Sequence, residues 1–80
     1  MKPRERRLLR FVQSFKAAHG NEPPALADVA AAVGIRNTAK VRRLVGTLID
    51  RGQMATQTVV EEDGGFVPPA RGGGGGGEQN

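Results

Sequence analysis

Eighty residues make one small domain at most, too short for a barrel, a doubly wound sheet or a multidomain enzyme. Hydrophobic residues are 38% of the chain, with three Phe, no Trp or Tyr and no Cys; an aliphatic core is expected, and disulfides and thiolate zinc sites are excluded. The net charge of +4 conceals an asymmetry: residues 1–52 carry eleven of the twelve Lys and Arg against four acids, while residues 53–80 carry Arg71 against Glu61, Glu62, Asp63 and Glu78. A basic half this concentrated points to a polyanionic partner, with nucleic acid the first candidate.

The first predicted helix starts at Pro3, a residue suited to a first helical turn. Its apolar positions Leu8, Phe11, Val12, Phe15 and Ala18 fall on one stripe, with Arg6, Arg10 and Gln13 opposite. Gly20 ends it, and Pro23 and Pro24 keep the following loop from being helical. His19 is expected to be partly buried at that end, interacting with the last carbonyls. A short alanine-rich helix follows over residues 25–33, started by Pro24 and stopped by Gly34, with Leu26, Val29, Ala30 and Val33 facing inward. Asn37 is a good N-cap for a third helix running from Thr38 to about Arg51, whose inward stripe is Val41, Leu44, Val45, Leu48 and Ile49. Gly52 closes that helix.

Residues 54–60 are rich in β-branched side chains, Asp63 and Gly64 form a turn signal, and Phe66 and Val67 can pair back before Pro68. The expected fold is therefore mainly α with a small β-hairpin, in the order α-α-α-β-β, over residues 1–67. Residues 68–80, with six consecutive glycines from Gly72, are expected to be a disordered Pro/Gly-rich tail.

The strongest functional signal lies between Ala25 and Gly52. Two helices flank a tight turn, and the small residue Ala30 stands four positions before Gly34. A bulky side chain at Ala30 would push closely crossed helices apart, and Gly34 permits the swing into the next helix. Opposite its apolar stripe the third helix presents Ala39, Arg43, Gly46, Thr47 and Asp50, flanked by Lys40 and Arg42. Its N-terminal half is thus positive, at a helix end that itself favours phosphate. Arg and Lys can donate to guanine O6 and N7, and Asn37 or Thr38 can serve bases or phosphates.

Gly20 with Pro23 and Pro24, then Asp28, Val29 and Ala30, then residues 33–37, then Leu48 and Gly52 resemble the winged helix-turn-helix DNA-binding domain of LexA-type repressors, over about residues 4–60. The resemblance implies that Asn37, Ala39, Lys40, Arg42 and Arg43 sit on the groove-reading part of a recognition helix. It also implies that Lys2 and Arg4, at the start of the first helix, lie near phosphates. Independently of the resemblance, the arginines of that helix, Arg7 among them, are expected to add non-specific attraction to the DNA backbone. Lys40, Arg42 and Arg43 stand where that family has mostly small or acidic residues, so the base sequence it reads does not carry over. Ala25 replaces a capping Thr or Ser, and the turn of the expected wing is acidic at Glu61, Glu62 and Asp63, which opposes phosphate contact.

No catalytic set is apparent: the acids are scattered or clustered in one turn, and the single His lies at a helix end. No cofactor or metal is expected. No run approaches the ~20 apolar residues of a membrane span, and no signal-peptide stretch opens the chain, so a cytoplasmic, nucleoid-associated protein without a membrane partner is expected. The expected function is sequence-specific binding of double-stranded DNA by a transcriptional regulator, with a homodimer or a protein partner through the wing left open. Two alternatives are a winged-helix protein-interaction module and an RNA or single-strand binder. The second is disfavoured because Phe11 and Phe15 are expected to point inward and Phe66 to close the hairpin.

Overall fold

A computed structural model describes residues 2–70 of the chain. Three helices follow in sequence, α1 (Pro3–Ala18), α2 (Leu26–Val33) and α3 (Thr38–Asp50), and α2 packs against both of the others. Residues 71–80, the greater part of the expected tail, lie outside the described residues.

Helix α1 begins at Pro3, where a missing amide hydrogen costs nothing because the first helical donors have no partner within the helix. Glu5, two residues on, reaches back to accept the Lys2 backbone N–H at 3.4 Å. Leu8 and Val12 are buried; Phe11 and Phe15 are only half-buried, and Ala18 is exposed. The C-terminal half of α1 therefore lies shallower on the core than its apolar stripe implied.

Helix α2 buries Leu26, Val29, Ala30 and Val33, the face expected from its spacing. Its N-cap residue, Ala25, has no side chain able to take a free amide. The Leu26 N–H, the first of the helix, donates to the Val60 carbonyl at 2.8 Å, so a backbone oxygen from distant sequence satisfies one of the helix's free amides. Gly34 ends the helix at φ +73°, where an L side chain is strained, and the next amide, Ile35, closes back on the Ala30 carbonyl at 3.0 Å. Gly34, Ile35, Arg36 and Asn37 complete the turn into α3, which buries Val41, Val45, Leu48 and Ile49. Asn37 caps α3 as expected, its Oδ1 accepting from the Ala39 N–H at 2.9 Å and the Lys40 N–H at 3.4 Å.

The expected β-hairpin is not formed. Among the described residues there is no strand, only isolated bridges from Val60 to Ala25 (parallel) and from Val60 to Phe66 (antiparallel). Two features prevent a longer ladder. Thr58 and Val59 are adjacent and both buried, which a strand with alternating faces cannot provide, and Gln57 turns the chain at φ +60°. In addition, both backbone groups of Val60 are engaged beside α2, its N–H donating to the Pro24 carbonyl at 3.0 Å. The segment after α3 is thus an irregular return whose task is burial: Met54, Val59 and Val67 complete a core built from the three helices. At about 1.5–3 kcal/mol for each fully buried aliphatic side chain, these three matter to a domain this small. Phe66, expected to close the hairpin, is 42% exposed.

The return continues beyond Val67. The Ala70 N–H donates to the Gly46 carbonyl of α3 at 2.8 Å, so residues 68–70, the first of the expected tail, lie against that helix. Gly46 is buried beneath them, and a Cβ added there would stand 2.9 Å from the Pro68 carbonyl oxygen and 3.0 Å from the Ala70 nitrogen.

Candidate nucleic-acid interface

Helix α2, the four-residue turn and α3 form a helix–turn–helix unit. Ala27, Ala30 and Ala31 of α2, with Gly34, Ile35 and Thr38, line a shallow hollow at its elbow, and Ala30 is 5% exposed. Ala30 is the buried member of this set; at Gly34 an added Cβ would meet nothing within 4 Å, and it is the φ of +73° that requires glycine there.

The N-terminal end of α1 lies across a groove from the first turns of α3. That groove, about 600 Å³, has four cations on its walls: Lys2, Arg4 and Arg7 from the start of α1 and Lys40 from α3. Val33, Ile35 and Leu44 supply its apolar floor. The acid that also lines it, Glu5, is 4% exposed, and its carboxylate accepts from Arg51 Nη1 at 3.4 Å. That ion pair ties the start of α1 to the end of α3 and leaves the four cations facing the groove with little opposing charge. On the outer side of α1, Arg6 and Arg10 join Arg7 around a second, smaller hollow.

The structure brings Lys2, Arg4, Arg7 and Lys40 together, although they come from two separate helices. Ala39 and Arg43 are exposed on α3, Thr38 is half-buried, and neither Lys40 nor Arg43 has an ion pair among the described residues. Asn37 is exposed, but its carbonyl oxygen is committed to the cap, which also occupies two of the helix amides that could have met a phosphate. Arg42 stands apart. Its Nε donates to Glu61 Oε1 at 2.8 Å, on the side of α3 away from the groove. Gly46, expected on the open outer face, is covered by residues 68–70.

Three features escaped the sequence. The buried Glu5 had a local signal in its third helical position, but its pairing with Arg51 spans 46 residues and had none. The Arg42–Glu61 pair and the cover over Gly46 are equally nonlocal. At the other end of α1, Phe11 and Phe15 lie 5.8 Å apart, and the exposed His19 ring stacks on Phe15 at 3.9 Å with Nδ1 2.8 Å from the Phe15 carbonyl oxygen. His19 does meet a terminal carbonyl, but at the surface, and the two phenyl rings are not fully turned inward.

Among the described residues no helix is long and apolar enough to cross a membrane, and no group of three or more His, Cys, Asp or Glu could hold a metal ion. Comparison of the chain with protein-family models, with curated proteins and with solved structures returned no match.

Proposed function

We propose that this protein binds double-stranded DNA through the helix–turn–helix of α2 and α3 and acts as a transcriptional regulator. The N-terminal half of α3 enters the major groove, with Lys40 and Arg43 able to donate to base edges. Lys2, Arg4 and Arg7 hold the phosphate backbone, which positions the protein without reading sequence. One observation carries this reading: four cations from α1 and α3 converge on one groove beside an exposed Arg43, and Glu5, the one acid among the described residues lining that groove, is buried. Glu62 and Asp63 lie in the segment after α3 that also holds Glu61, the partner of Arg42, so while that pair holds, contact falls on the Lys40 side of α3.

Titration of isotopically labelled protein with a short random-sequence duplex, followed by amide chemical shifts, tests this arrangement. The expected result is movement of the amides of residues 2–7 and 36–43, with residues 14–21 at the far end of α1 unmoved. Shifts confined to the aromatic end of α1, or none at low salt, would refute it.

A further inference from the structure

We infer that Glu61 occupies a phosphate-binding position on Arg42, so that the acidic return after α3 competes with DNA for one of the recognition helix's own cations. The inference rests on the DNA-binding function proposed above and concerns the regulation of that surface.

Arg42 and Arg43 are neighbours on the exposed N-terminal half of α3, but among the described residues Arg42 has an ion-pair partner and Arg43 has none. Its Nε–H meets Glu61 Oε1 at 2.8 Å, the edge and distance that a phosphate oxygen takes on an arginine. An exposed ion pair is ordinarily weak, because two long side chains must be held still. Here one side is held already. The Glu61 N–H donates to the Gly65 carbonyl at 2.6 Å, and the Gly64 N–H donates back to Glu61 at 2.9 Å. Just before it, Val60 is bonded to both Pro24 and Leu26, and Val59 is fully buried. The Glu61 side chain is accordingly 21% exposed, against 47% for Arg42. One turn further along the same side of α3, the chain bonds to Gly46 through Ala70. The return is therefore anchored on both sides of the carboxylate, and Glu61 acts as a fixed internal anion. Glu62 and Asp63, both exposed, follow it directly and add to the negative potential a phosphate meets there. Binding of DNA at Arg42 requires exchange of one anion for another, whereas Lys40 and Arg43 have no ion-pair partner among the described residues.

The test is fluorescence anisotropy of the full chain against a labelled random duplex over a range of salt, with Glu61→Gln, Glu62→Gln, Arg42→Ala and the double variant Arg42→Ala with Glu61→Gln, each checked for native helix content by circular dichroism. Freed of its carboxylate, Arg42 adds one phosphate contact. Glu61→Gln should then bind more tightly and steepen the dependence of log K on log salt by about 0.9. Its advantage over the unaltered chain should shrink about 3.5-fold between about 50 and 200 mM salt. Glu62→Gln should leave the slope unchanged, and with Ala at position 42 the Glu61→Gln gain should vanish. Equal gains from Glu61→Gln and Glu62→Gln, whether or not Arg42 is present, would overturn the inference in favour of general charge removal while leaving DNA binding intact. No binding by any of these proteins at low salt would overturn DNA binding itself, and this inference with it.

Discussion

Gly46→Ala should stabilise the domain when residues 68–80 are removed and do little when they are present. In a helix interior, Ala is favoured over Gly by about 1 kcal/mol. In the full chain the new Cβ would meet the Pro68 carbonyl oxygen at 2.9 Å and the Ala70 Cα at 3.2 Å, and both are backbone atoms that cannot rotate aside. The return must lift, and the 2.8 Å bond from Ala70 to the Gly46 carbonyl goes with it, at a cost of about 0.5–1.5 kcal/mol. The lost bond offsets the propensity gain, so the substitution should be close to neutral in the full chain. In a chain ending at Val67 nothing opposes the Ala, and it should stabilise by about 1 kcal/mol. The difference, about 0.5–1.5 kcal/mol, corresponds to roughly 2–12 °C in Tm for a domain of this size. Thermal unfolding of the four proteins in a double-mutant cycle measures it, and the cycle cancels the cost of the cut. An identical Gly46→Ala effect in both lengths would refute the contact between residues 68–70 and α3.

Asn37→Ala removes the cap that accepts two amides of α3 and should cost about 0.5–2 kcal/mol in urea unfolding. Leu48→Asp buries an unpaired charge at a position with no exposure, and circular dichroism should show the helices lost. On DNA, Arg43→Ala should cost about 1–3 kcal/mol on a preferred site and relax discrimination there, whereas Arg4→Ala should weaken all sequences alike. Identical behaviour of the two variants on preferred and random duplexes would mean that α3 does not read bases.

The three helices were legible because the signals that make them are local. Leu26, Val29, Ala30 and Val33 show the 3.6-residue period within one short window, and Pro3, Gly34 and Asn37 mark boundaries by their own backbone and side-chain chemistry. The return after α3 was not legible, because its β-branched composition is shared by strands and by core-filling loops. What separates the two is where the Val60 backbone groups are bonded, and that depends on Pro24 and Leu26, more than thirty residues earlier. The candidate site divides in the same way. Exposure of Lys40, Arg42 and Arg43 follows from the helical wheel of α3. Neither the meeting of Lys40 with Lys2, Arg4 and Arg7 nor the capture of Arg42 by Glu61 does, since both depend on how the helices and the return pack.

The salt dependence of binding to random duplex DNA tests the central claim most directly. If Lys2, Arg4, Arg7, Lys40 and Arg43 each neutralise a phosphate or lie in a groove, log K should fall against log salt with a slope of about −4 to −5. Absence of binding at low salt, or a slope near zero, would contradict DNA recognition by this surface.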